Sequence, residues 1–122
     1  MAPVEVVTIG YGGKKPTDFF AEIDALGVDL VVDVRENPFK AFLGVYTKRG
    51  LEVRLGERYT WVKELGNTTR ELPPTLVDEA EGMRKLRALM EGRHRIALLC
   101  AEKDEAMCHR GFIKAKILAE KD

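Results

Sequence analysis

The chain has no serine and no glutamine, and its only asparagines are Asn37 and Asn67. With charged residues at 33%, this loss of thermolabile amides is a thermophile-like composition. Cysteine is nearly as scarce, with Cys100 and Cys108 the only two in 122 residues. A Cys100–Cys108 bridge in a mesophile's cytosol would be confined to transient redox states, whereas hyperthermophile interiors carry disulfides. An excess of either charge is missing too: twenty basic residues stand against twenty acidic ones, a formal net charge of zero. That excludes a global electrostatic footprint for nucleic acid or anionic membrane, so any such contact must be local. No apolar run approaches a membrane span, and Met1-Ala-Pro-Val-Glu5 lacks the basic start and apolar core of a signal peptide. The expectation is a soluble, cytoplasmic protein.

What is present suffices for one domain over residues 1–122. Hydrophobic residues make up 45%, and a chain of this length buries roughly two-thirds of its unfolded surface without a disulfide or metal. Val4 to Ile9 is mostly β-branched and reads as a first buried strand, broken by Gly10-Tyr11-Gly12-Gly13. Pro16-Thr17-Asp18 starts a helix with a hydroxyl cap, Phe19, Phe20, Ile23 and Leu26 on one face, and Gly27 as its stop. Strand, glycine turn and helix start are also the syntax of a phosphate loop, but the dinucleotide and P-loop fingerprints are missing. A tight turn needing positive φ is the plainer reading. Leu30-Val-Val-Asp33-Val-Arg35 is a second strand, apolar but for the carboxylate and the arginine. Residues two apart on a strand share a face, so Asp33 and Arg35 either pair structurally or serve a site.

From Arg35 to Lys63 seven basic residues face three acidic ones, interleaved with Phe39, Phe42, Tyr46, Tyr59 and Trp61. Such a stretch can stack single-stranded nucleic acid; as readily, its aromatics are core and its charges a solvated helix face. A helix is expected from about Thr47 to Gly56 and a short strand over Tyr59–Lys63. The long connection from Glu64 to Thr75 is a candidate lid or a mobile link. Asp78 to Glu91 is helical, with Met83, Leu86, Leu89 and Met90 inward as core filler and Gly92 as its end. His94 falls at the far end of the next strand and reads as a surface residue. The order β-α-β-(α)-β-α-β-α predicts an α/β fold, a single three-layer domain with a mostly parallel sheet of about four strands and helices on both faces.

The chemistry-bearing stretch is Arg95-Ile-Ala-Leu-Leu-Cys100, an acidic loop with Glu102, Asp104 and Glu105, then Cys108-His109-Arg110 opening a helical pattern. Cys100 falls at a strand end and Cys108-His109-Arg110 at a helix start, where open α/β sheets gather ligands. Four readings of the cysteines stand. Cys108 suits a nucleophile whose pKa the helix terminus, His109 and Arg110 lower, against the nearby carboxylates that raise it. Cys100 and Cys108 could form a dithiol switch if the loop folds back. A metal site is disfavoured, because adjacent Cys-His rarely points at one ion and no CxxC or HxxxH spacing occurs. Finally, both cysteines could be inert structure. A histidine at a helix N-terminus stays neutral and suits a general base, and Arg110 suits either an ion pair or an anion clamp.

Thr8-Ile-Gly10-Tyr11, Val32-Asp33-Val34-Arg35-Glu-Asn-Pro38, and Leu99-Cys100-Ala-Glu102 with Cys108-His109-Arg110 together resemble the family called domain of unknown function 488. The three motifs follow that family's order and span nearly the whole chain; the Cys-Ala-Glu and Cys-His-Arg pair is the specific part. The resemblance implies α/β architecture and a motif-bearing face, without a reaction. The short tail after Cys-His-Arg suggests a minimal version of the family. The Asp-Val-Arg strand followed by a strand-end cysteine is also similar to rhodanese-like domains. However, the seven residues between Cys100 and Cys108 depart from the rhodanese cradle and from the cysteine-phosphatase loop.

The combined expectation is a domain that binds a small anionic ligand at the strand ends, with no cofactor and no metal. Arg35 and Arg110 would hold the anion, aided by the Gly10 and Tyr11 backbone. Cys108, His109, Cys100, Glu102 and Asp33 would carry thiol-dependent catalysis. The rival is a non-catalytic module for nucleic acid, through Arg35–Lys63, or for a protein partner.

Overall fold

Among the described residues every strand of the sheet is laid down parallel to its neighbour, which forces the connections between them to cross over a sheet face. The computed structural model describes residues 4–41, 43–69, 75–101 and 109–119. The strands are β1 (Glu5–Gly10), β2 (Leu30–Asp33), β3 (Tyr59–Trp61) and β4 (Arg95–Cys100), in the spatial order β1-β4-β2-β3. The helices are α1 (Pro16–Leu26), α2 (Lys48–Leu55), α3 (Glu79–Met90) and α4 (His109–Ala119). Single 3-10 turns occupy Gly44–Tyr46, Gly56–Arg58 and Lys63–Leu65. The three-layer α/β domain read from the sequence is the one observed.

The helix boundaries have local causes. Pro16 takes the first position of α1, where its missing N–H costs nothing, and Gly27 ends the helix in the left-handed region at φ 62°. The expected hydroxyl cap is not used: with Pro16 leading, the cap position falls on Lys15, which makes no side-chain capping bond. Real caps sit elsewhere. The Thr47 hydroxyl accepts the Gly50 N–H at 3.1 Å, and the Asp78 carboxylate accepts that of Glu81 at 3.2 Å. The expected strand at 59–63 stops at Trp61, because the chain tightens into the 3-10 turn at Lys63–Leu65. The connection expected from Glu64 to Thr75 is tied at its base by an antiparallel bridge between Asn67 and Leu76. Residues 70–74, including Pro73 and Pro74, lie outside the described residues, as does Phe42.

Side chains alternate across the strands, and the core divides accordingly. On one face Phe19, Phe20 and Ile23 of α1 and Leu51 and Leu55 of α2 pack on Ile9, Val31, Ala97 and Leu99. On the other, Met83, Leu86 and Met90 of α3 and Ile113 and Ile117 of α4 pack on Val6, Leu30, Val32, Ile96 and Leu98. Helix α3 comes close to the chain below it because of Gly82, where a Cβ would stand 2.6 Å from Leu65 Cδ2. Among the described residues no helix is long and apolar enough to cross a membrane.

This topology decides at which edge of the sheet a ligand is expected. Helix α1, which follows β1 in the chain, packs on one face of the sheet, while α4, which follows β4, packs on the other. Neighbouring parallel strands whose connections part to opposite faces leave a gap at their carboxyl ends, the usual ligand position in such sheets. Gly10 pairs with Cys100 and Asp33 with Leu99, so β1, β4 and β2 end at that one edge.

Candidate functional site

Two clusters of polar side chains meet this edge, one on each face. The first is built on the end of β2. Asp33 is wholly buried and Arg35 is 5% exposed. The guanidinium grips the carboxylate with both arms, Nε donating to Oδ1 at 2.8 Å and Nη2 to Oδ2 at 2.5 Å. The Arg35 main-chain N–H adds a third bond to Oδ1 at 3.0 Å, and the Tyr59 hydroxyl donates to Oδ2. Each carboxylate oxygen therefore accepts two hydrogen bonds, which is what a buried charge needs.

Arg35 is held from its other side as well. Its Nη1 donates to the Tyr46 carbonyl at 2.6 Å and to the Tyr11 hydroxyl at 3.2 Å, and its own carbonyl accepts Trp61 Nε1 at 2.7 Å. Burial opposes the guanidinium's charge, but the hydrogen bonds and charge of Asp33 reverse that effect and hold Arg35 above ordinary arginine. Burial, then the Asp33 charge and hydrogen bond, push the Tyr59 phenol well above the usual tyrosine range, so it is a fixed donor. The Tyr11 and Tyr46 rings stack at 4.6 Å beneath this network.

The Gly10–Gly13 turn sits beside it. Gly13 adopts φ 70°, as a tight turn requires. The Gly12 N–H donates to the Ala101 carbonyl at 2.8 Å and that of Lys14 to the Tyr11 carbonyl at 3.0 Å. Two of the amides that a phosphate cradle would present are therefore engaged within the protein.

The second cluster lies on the α3/α4 face, at the end of β4. Cys100 packs with Ile96 and Leu98 on that face, and its Sγ stands 3.7 Å from Nδ1 of His109. The other ring nitrogen, Nε2, lies 2.6 Å from the Val34 carbonyl, which can only accept, so Nε2 carries the proton and Nδ1 turns its lone pair to the sulfur. Burial lowers the His109 pKa and Arg110 adds to that effect, while the Val34 and Leu65 carbonyls and the Asp33 charge oppose it. The charged form of the imidazole is thereby disfavoured. Arg110, next along α4, is 2% exposed. Cys100 is disulfide-bonded. Cys108, the chain's other cysteine, and Glu102, Asp104 and Glu105 lie outside the described residues.

Of the residues singled out from sequence, Asp33, Arg35 and Tyr11 thus share one cluster, and Cys100 and His109 another, with the Val34 main chain as the seam between them. His94 is exposed at the opposite end of β4, where its N–H donates to the Asp29 carboxylate. The parts that sequence reasoning did not assign to a site are Tyr46, Tyr59 and Trp61. Their signal was the aromatic interleaving of the basic stretch, but Tyr46 and Tyr59 proved to be buried partners of Asp33 and Arg35. Among the described residues no three His, Cys, Asp or Glu side chains gather as a metal cage would require.

Layered α/β architecture, a carboxylate–arginine pair closing β2 and a Cys–His contact at the end of β4 define the class of protein. A family model described as domain of unknown function DUF488 matches residues 15–76 and 74–117, and the chain belongs to that family. No curated protein and no solved structure matches the chain, so the rhodanese-like similarity draws no support from them.

Proposed function

We propose that this protein binds a small anionic ligand at the carboxyl ends of its strands and acts on it through a thiol. The observation that supports this is the Cys100–His109 contact: Sγ faces Nδ1 at 3.7 Å while Nε2 is anchored on the Val34 carbonyl. A base whose far nitrogen is fixed by a carbonyl is the arrangement that thiol activation calls for. In the reduced protein the Cys100 proton would pass to Nδ1, leaving a thiolate beside the imidazolium. Arg110 and the positive end of α4 favour that negative charge, and the same two features would hold an anionic ligand. Arg35 is the weaker candidate for anion binding, since four of its guanidinium hydrogen bonds are already made inside the protein. Cys108 and Glu102 remain candidates for nucleophile and for acid or base from their sequence positions.

The test is alkylation of the reduced full-length protein by iodoacetamide across pH, read separately for each cysteine by mass spectrometry. A half-labelling pH for Cys100 or Cys108 clearly below about 8.5, the value of an unperturbed thiol, is expected. Profiles for both cysteines that coincide with a free peptide thiol would overturn the proposal.

The rival reading is a non-catalytic binding module. Its nucleic-acid form rests on the basic stretch, but much of that charge is engaged at home. Arg35 pairs with Asp33, Lys48 with Glu52 and Arg58 with Asp24, and Arg54 lies over the Phe20 ring at 4.2 Å. Its protein-binding form has a better footing in the open edge of the sheet at β3.

A further inference from the structure

Among the described residues β3 ends the sheet, with β2 on one side of it and no strand on the other. Its pairing is parallel, with Val32 opposite Thr60 and Asp33 opposite Trp61, and the Val62 N–H donates to the Asp33 carbonyl at 3.0 Å. In a parallel ladder alternate residues turn both main-chain groups to one neighbour. Thr60 and the Val62 N–H are therefore bonded toward β2; on the outer side the Tyr59 N–H closes on the Gly56 carbonyl, and the Tyr59 C=O and the Trp61 N–H and C=O face outward. An outward row of this kind is a template for another extended chain.

Beside this edge lies a groove of about 310 Å³, lined by Thr60, Trp61 and Val62 from the strand side and Arg84, Lys85, Ala88 and Leu89 from α3. A strand edge flanked by a helix is a known arrangement for capturing a peptide by strand addition: main-chain bonds hold it while alternate side chains enter the groove. Both charged residues lining the groove are cationic. Arg84 grips Glu81 through Nε and Nη2 and Lys85 bonds the half-buried Glu64, yet neither carboxylate is among the residues that line the groove, so the charge a peptide would meet there is cationic. Lys63, just past the strand, is also exposed. Trp61 cannot swing away, because its Nε1 is tied to the Arg35 carbonyl. Phe39, 63% exposed, packs edge-on against it at 5.2 Å and extends the apolar rim.

We infer that the β3–α3 groove is a docking site for an extended acidic peptide, added to the sheet as a fifth strand. Apolar or threonine side chains of the peptide would lie over Val62, Ala88 and Leu89, and its carboxylates would meet Arg84 and Lys85. The inference is independent of the thiol proposal, since the groove lies at β3 and Cys100 at the end of β4, on the far side of β2.

The experiment is an amide NMR titration of the full chain with the acetylated pentapeptide Val-Glu-Thr-Glu-Val. A copy N-methylated at alternate residues, a copy with lysine for glutamate, and oligothymidylate serve as comparisons. Shifts centred on Thr60, Trp61, Val62, Ala88 and Leu89 are expected with the acidic peptide, with binding at least about tenfold weaker for the methylated and lysine copies. Ala88→Glu, at an exposed groove position, should weaken binding by a similar factor and leave Cys100 alkylation unchanged. If that variant does not fold, the two altered peptides carry the test alone. Absent shifts, equal binding of the methylated copy, or oligothymidylate binding more tightly than the acidic peptide would each overturn the inference.

Discussion

Asp33 and Arg35 lie two residues apart and close on each other through two parallel bonds, Nε to Oδ1 at 2.8 Å and Nη2 to Oδ2 at 2.5 Å. Because the carboxylate is completely buried, each partner is the other's main compensation for leaving water. Arg35→Met would leave that charge uncompensated and is expected to cost about 3–5 kcal/mol. Tyr59→Phe removes one hydrogen bond to the same carboxylate and should cost about 1.5–3 kcal/mol. Urea unfolding of the two variants beside wild type measures both; a neutral Arg35→Met would show that the pair contributes little.

The buried imidazole makes stability depend on pH. The His109 pKa in the folded protein lies below its ordinary value of 6.5, chiefly through burial, so the unfolded chain takes up the proton more readily. Between the two values the unfolded state binds more protons, and stability falls as pH drops through that window. The contribution is fully present above about pH 6.5 and is lost progressively below it. His109→Gln keeps a donor for the Val34 carbonyl but cannot titrate. Its urea midpoint should therefore change less than that of wild type between about pH 7.5 and about pH 5. Identical slopes in the two proteins would contradict this.

The fold was legible because its signals are local. The β-branched run at 4–9, the proline at the head of α1 and the glycine at its end each act on their own neighbours. The same-face pairing of Asp33 and Arg35 followed from their spacing alone, since alternation within one strand is fixed. Alternation between strands is not. Whether Cys100 shares a face with Asp33 depends on which residue of β4 lies opposite it, and that partner is Leu99. One step of register thus sends Cys100 to the α3/α4 face and Asp33 to the α1/α2 face, and no sequence pattern states the register. The end of β3 fell short of the expected Lys63 for a related reason. The 3-10 turn at Lys63–Leu65 cuts it off, and that turn lies against distant chain, with Leu65 under Gly82 and Gly66 against Glu36.

Gly66 illustrates such packing. Its φ is ordinary, yet a Cβ there would stand 2.5 Å from Glu36 Cα and 2.8 Å from Glu36 N. Both obstacles are main chain and cannot rotate away. Gly66→Ala is expected to destabilise by about 1–3 kcal/mol, the usual cost of overpacking. Gly44, where a Cβ would meet nothing within 4 Å, is the control, and Gly44→Ala should fall within about 0.5 kcal/mol of wild type. Thermal unfolding of both variants distinguishes steric conflict from a general intolerance of alanine in loops.

The division of polar groups between the two faces also yields a prediction about coupling. Asp33, Arg35 and Tyr59 are bonded among themselves, and His109 reaches that side through the Val34 carbonyl and through the Asp33 charge. His109→Gln removes the lone pair that faces the sulfur, so the half-labelling pH of reduced Cys100 should rise by roughly one unit or more. Tyr59→Phe leaves Val34 in place and Asp33 charged and held by Arg35, and should leave that value within about 0.2 unit. If the two substitutions shift the profile equally, the clusters act as one site spanning the sheet, as the sequence alone suggested. If only His109→Gln does, the thiol site belongs to the α3/α4 face and the Asp33–Arg35 pair is its scaffold.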